Sequence, residues 1–268
     1  MSMSANKFQP WPVVKFLHDT RSGNMWLWAL MLTCVAGLLL CIGLMLIDHR
    51  MLNGVNVWDK PAKFFLSFIV QFSTVGWALS FLPSAQRNAR RVKVAVAAMS
   101  FAAWLEMAYM IFRASRAEAS HYNDTSVFAQ VMYGAMGLGA LTLVGTAFFI
   151  GYLVWRNRKQ SLMTLAAGLG LMLGMVLATF AGVYMSAQTS HWVGGEMSDV
   201  HGLGFFGWST TGGDLRVAHF AGMHAAQFIP MAALIGNRRV VYGVAAAMTL
   251  VTAALFILGA NGIPILRT

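Results

Sequence analysis

Charge is what this chain most lacks: Asp, Glu, Lys and Arg together supply 10% of its residues. A soluble domain needs about a quarter of its residues charged to cover its surface, so a soluble fold is excluded. Cysteine occurs twice, at Cys34 and Cys41. Seven positions apart on one helix they are separated by about 10 Å along the axis, too far for a bridge, and read as small packing residues. No Cys-based metal motif, Gly-rich phosphate loop or serine-nucleophile signature occurs. The stretch 239–260 holds no lysine, which excludes a retinal Schiff base there.

What the chain has instead is apolar length. Hydrophobic residues make up 58% of it and its mean hydropathy is +0.62. Seven stretches reach the roughly 20 residues needed to cross a bilayer core, at about 25–47, 62–83, 93–113, 126–155, 161–186, 215–236 and 239–260. The expected fold is therefore all-α, a single seven-helix transmembrane domain over residues 1–268. A formal charge of +10 could point to nucleic acid, but the basic residues sit in short interhelical loops, so the bilayer is the expected partner.

Those loops orient the bundle. Lys7, Lys15, Arg21, Arg87, Arg90, Arg91, Lys93, Arg156, Arg158, Lys159, Arg238 and Arg239 fall on one face, with Asp19 as its only acid. Excess Lys and Arg mark the cytoplasmic side, placing the N-terminus inside and the C-terminus outside. Gln9-Pro10-Trp11-Pro12 and Asp19 interrupt the start before any apolar run, so no cleaved leader is expected. Trp11, Trp26, Trp28, Trp58, Trp155, Trp192 and Trp208 read as interfacial anchors. Gly170 and Gly174, in GxxxG spacing, read as a close helix contact.

Six of the seven histidines and eight of the nine carboxylates sort to the opposite face. In the first outer loop, Asp59-Lys60-Pro61-Ala62-Lys63-Phe64 starts the second helix at Pro61, where a missing N–H costs nothing. Lys60 and Lys63 then stand at a positive dipole end, which disfavours them by up to about 1 kcal/mol. Either Asp59 or Glu106 pairs with Lys63, or the place binds an anion; plain snorkelling to headgroups explains Lys equally well. In the second outer loop, Asn123 or Asp124 is expected to cap helix four, with His121 within about one turn of it.

Glu106 lies seven residues before Arg113, about 10 Å inside the hydrocarbon, and should face the bundle with a partner. Tyr109 and Arg113 share its face. The third outer loop, roughly 187–214, is glycine-rich, carries His191, Glu196, Asp199 and His201, and is long enough to be a lid or binding element. Asp214 is a natural N-cap for helix six, Arg216 adds a cation there, and two such helix starts suit a phosphate, carboxylate or haem propionate. His219, His224 and Gln227 descend that helix. His219 and His224 are five apart, about 140° around the axis, so at most one joins Glu106 and Gln71 unless the helix kinks near Pro230.

The runs Lys60-Pro61-Ala62-Lys63-Phe64, Ser120-His121-Tyr122-Asn123 and Gly213-Asp214-Leu215-Arg216-Val217-Ala218-His219-Phe220, with His224 and Gln227, resemble motifs of an uncharacterised bacterial polytopic membrane family. The resemblance implies a multi-pass protein of a bacterial inner membrane and no particular activity. Zinc hydrolases related to ceramidases use an HxxxH pair, and His219 and His224 miss that spacing by one.

Three functions are compatible with these residues. The leading expectation is a redox protein binding a transition metal or haem through His219, His224, His121 and Glu106, with Glu106 and His224 catalytic. Lys63, Arg113, Arg216 and Gln227 would contact the cofactor or ligand. The second is a metal-assisted hydrolase or transferase of lipid-linked anionic substrates, with Glu106 as acid/base and Lys63, Arg113 and Arg216 clamping phosphate. The third is a transporter or assembly partner using the same groups as a proton relay.

Overall fold

The computed structural model describes residues 12–267, so Lys7 and Trp11 lie outside the described residues. Nine helices order them: α1 (Pro12–Gly23), α2 (Met25–Ile47), α3 (Asp59–Leu79), the one-turn α4 (Ser84–Arg87), α5 (Arg90–Ser115), α6 (Val127–Arg156), α7 (Leu162–Ser186), α8 (Leu215–Ala232) and α9 (Arg238–Ala260). Six of them, α2, α3, α5, α6, α7 and α9, are long and apolar enough to cross a membrane. The chain is thus an all-α, multi-pass membrane bundle with a lipid bilayer as its surroundings. The stretch expected at 215–236 becomes the 18-residue α8 and a 3₁₀ turn over Ala233–Ile235. With Arg216, His219, His224 and Gln227 along it, α8 is not among the six long apolar helices.

Caps set the helix starts. Asn24, Ser126, Ser161, Asp214 and Asn237 each accept a hydrogen bond from a backbone N–H in the first turn of α2, α6, α7, α8 and α9. Ser126 rather than Asn123 or Asp124 caps α6, and His121 sits outside that first turn. Helix α3 begins at Asp59, two residues ahead of Pro61, because Asp59 suits the positive end of the dipole.

Small residues bring α7, α8 and α9 together. A methyl on Gly174 would lie 3.0 Å from Ala226 N, one on Gly222 3.0 Å from Ala178 N, and one on Gly170 3.0 Å from Pro230 Cδ. Backbones can approach that closely only where no Cβ intervenes. Leu165, Ala225, Ile229 and Val241 fill this core, while Phe72, Leu79, Met99, Met107 and Ile150 fill a larger one among α2, α3, α5 and α6.

The two ends of the bundle differ. At one end, hereafter the basic end, α1 lies against α3, with Thr20 Oγ1 donating to Ser73 O and Gly23 touching Gly76. The opposite, loop end is knit across the sequence. Asn53-Gly54 closes a hairpin of β1 (Met51–Leu52) and β2 (Val55–Asn56), both turn residues at positive φ as such a turn requires. Asp199 N and Ser198 Oγ both donate to Asn53 O, which ties the 187–214 loop to this hairpin. That loop is itself ordered: β3 (Trp192–Val193) pairs antiparallel with β4 (Gly213–Asp214), and Gly204–Phe206 form a 3₁₀ turn.

Candidate functional site

At the loop end the three resembling motifs meet. Lys60, in the first turn of α3, donates from Nζ to His121 Nδ1 at 3.1 Å. An ammonium can only donate, so Nδ1 accepts and the proton of His121 sits on Nε2. Ser120 Oγ lies at 3.1 Å from the same nitrogen. From His121 a row of rings runs across the bundle: Tyr133 at 5.8 Å, Tyr122 a further 5.5 Å on, His191 at 6.0 Å and Trp192 at 4.0 Å, each centroid to centroid. Arg216 closes the row, its guanidinium 5.8 Å from the Trp192 ring.

Both imidazoles of the row are uncharged at neutral pH. Burial pushes His121 well below the ordinary histidine range, and the Lys60 charge adds to the effect. His191 is pushed down to about 3, first by burial and then by Arg216, with Asp214 opposing. Its Nε2 is buried and has no hydrogen-bond partner among the described residues.

The cations of this end divide into satisfied and unsatisfied. Arg216 is fully engaged: Nη2 donates to Asp214 Oδ2 at 2.7 Å, Asp199 Oδ1 at 2.8 Å and Gly207 O at 2.7 Å. Lys63 pairs with Asp59 at 2.6 Å, not with Glu106. Arg113 pairs with Glu118 at 2.8 Å and donates from Nε to Ala119 O. Lys60 has no carboxylate within ion-pair distance among the described residues. Its only polar contact there is a neutral imidazole.

The metal set expected from the sequence does not assemble. Glu106 faces Gly139 of α6, and no described residue bonds its buried Oε1. His219 turns to α7, where its Nδ1 donates to Ala178 O at 2.9 Å. His224 donates from Nδ1 to Phe220 O at 2.9 Å and stacks on that ring. Gln227 reaches α3 instead, donating to Thr74 Oγ1 at 2.9 Å. His121 is held by Lys60. Each of these groups follows the face its helix register gives it, so the imidazoles and Glu106 have separate neighbours. Among the described residues no three His, Cys, Asp or Glu side chains converge closely enough to hold a metal ion. Trp58 is a further correction: it is buried, and its Nε1 donates to Asp48 Oδ2 at 2.8 Å rather than facing lipid.

Sequence reasoning gave Lys63 the ligand role that Lys60 is better placed to take. The signal was present, since Asp59 and Lys63 stand four apart on one helix face, the spacing of an ion pair. Tyr122 and Tyr133 gave no signal, because only the fold sets them between His121 and His191. No family model, no curated protein and no solved structure matches this chain.

Proposed function

We propose that this is a seven-span bacterial inner-membrane protein, N-terminus inside and C-terminus outside, that holds an anionic group at its extracytoplasmic end. Helix α8 supports the seventh span. It packs between α7 and α9 along its length, returning the chain from the 187–214 loop to the basic end. Lys and Arg gathered at that basic end give the orientation.

Lys60 carries the ligand reading. A partly buried ammonium without a counter-charge is costly by several kcal/mol. A phosphate or carboxylate, from a lipid-linked or small-molecule ligand, supplies the missing charge. Lys60 would give the ionic contact, and neutral His121 and His191 would give or receive hydrogen bonds. Of the three sequence expectations this retains the anionic substrate of the second. A redox centre on His219, His224, His121 and Glu106 loses its support with the dispersal of those groups.

The test is direct binding of inorganic phosphate, and of vesicles with and without phosphatidylglycerol, to purified protein and to Lys60→Gln. Wild type is expected to bind at least one of these probes at least tenfold more tightly than the variant, about 1.4 kcal/mol. Equal affinity, or no binding by wild type, overturns the reading.

A further inference from the structure

One face of α5 carries a polar stripe that the Lys60 cluster does not use. Glu106, Tyr109 and Arg113 stand at i, i+3 and i+7, and each is at most 6% exposed. Such spacing stacks them over about 10 Å of axis. Arg113 lies at the mouth, lining a surface hollow of about 510 Å³ together with Arg116, Glu118, Tyr122 and Asn123. Its guanidinium stands 5.8 Å from the Tyr109 ring. Tyr109 OH and Glu106 Oε1 are both buried without a hydrogen-bond partner among the described residues. On the far side of Glu106 the same face turns apolar, with Ala103, Ala102 and Met99. The stripe is therefore open toward the loop end only.

Room is built in at the carboxyl. A methyl on Gly139 would come within 2.7 Å of Oε1, so glycine is what lets the acid lie against α6. No counter-charge faces it from the helices packed on α5. Helix α6 has no ionisable side chain between Tyr133 and Tyr152, and α3 has none after Lys63. Helix α2 brings only the thiols Cys34 and Cys41. On α5 itself Arg113 is committed to Glu118, at 2.8 Å.

We propose that Glu106 is a proton-binding site inside the membrane, supplied from the loop end along Tyr109 and Arg113. The carboxylate takes one proton from a hydronium ion at the hollow: one O–H bond of the hydronium breaks, leaving water, as one O–H bond forms on Glu106, and the reverse transfer returns it by the same way. An unpaired carboxylate in hydrocarbon is disfavoured by several kcal/mol, so the group works as an acid that is neutral when occupied. The inference is independent of the anion site on Lys60.

Infrared spectra of the full chain in sealed vesicles test it. Wild type is expected to show a protonated-carboxyl carbonyl band that Glu106→Gln lacks. That band should shift on transfer to D₂O and weaken when the pH at the loop end is raised, and Tyr109→Phe should slow the exchange. The lipid-soluble reagent dicyclohexylcarbodiimide gives a second readout on wild type alone: mass spectrometry should find its adduct on Glu106, formed faster at lower pH. Absence of the band, a band indifferent to D₂O and to that pH, or absence of the adduct overturns the proposal. Phosphate or vesicle binding unchanged in Glu106→Gln separates this result from the fate of the Lys60 site.

Discussion

Lys60 Nζ and His121 Nδ1 meet at 3.1 Å across 61 positions of sequence, joining the start of α3 to the loop between α5 and α6. An ammonium held by a neutral imidazole is a weak arrangement for charge. His121→Phe keeps the packing against Phe64 and Tyr133 but removes the acceptor. Thermal unfolding in detergent should show a loss of about 1–3 kcal/mol, the penalty of an unsatisfied buried donor. Adding Lys60→Met should recover most of that loss, because contacting residues are not additive. Losses that simply add would show that the contact contributes nothing.

Stability should fall on acidification below about pH 6.5. His121 and His191 are held below the ordinary histidine range in the folded state. The unfolded chain therefore binds protons near pH 6.5 that the folded chain refuses, so stability is full above about pH 6.5 and declines below it, toward pH 3 for His191. The slope approaches about 1.4 kcal/mol per pH unit for each histidine over that window. His191→Phe should flatten the decline, as read by melting temperature between pH 7 and 5. An unchanged slope would remove His191 from the account.

Asp214 ties the 187–214 loop to the start of α8. It accepts from Ser209 N at 3.0 Å, caps α8 at Arg216 N and holds the Arg216 side chain. Asp214→Ala removes the α8 cap and leaves the partly buried guanidinium to Asp199 and Gly207, and should destabilise the protein by about 1–3 kcal/mol. Arg216→Lys should cost less yet still loosen the loop, since an ammonium cannot give Asp214 the paired Nε and Nη2 bonds while also reaching Asp199 and Gly207. Protease susceptibility of the 187–214 loop measures that loosening, and a loop as resistant as wild type would count against it.

The seven-span arrangement has a labelling test. With Cys34 and Cys41 replaced by alanine, Met197→Cys at the exposed loop end should react with a membrane-impermeant maleimide on intact spheroplasts. Arg238→Cys, beyond the far end of α8, should react only after permeabilisation. Labelling of both from the same side would show that α8 does not cross the membrane.

Much of this architecture is readable in the residues. Apolar runs give the helix positions to within a few residues because burying backbone in hydrocarbon leaves only the helix. Asp214 reads as a cap from its place before the polar start of α8. The GxxxG pair Gly170 and Gly174 marks where α8 comes close. Less readable were the partners of the ionisable groups. Glu106 and one of His219 and His224 read as a cluster by depth, yet all three side chains find separate neighbours.

The sequence by itself determined where helices lie and which end of the bundle holds the acids and histidines. Both follow from short-range patterns that hydrocarbon enforces on every residue. Only the tertiary structure decided which charges are neutralised. Arg216 owes Asp199 to the folding of a long loop, and Lys60 owes its imidazole to a different loop altogether. Electrostatic partners are chosen by distances of a few ångströms between segments far apart in the chain, and no local pattern encodes them.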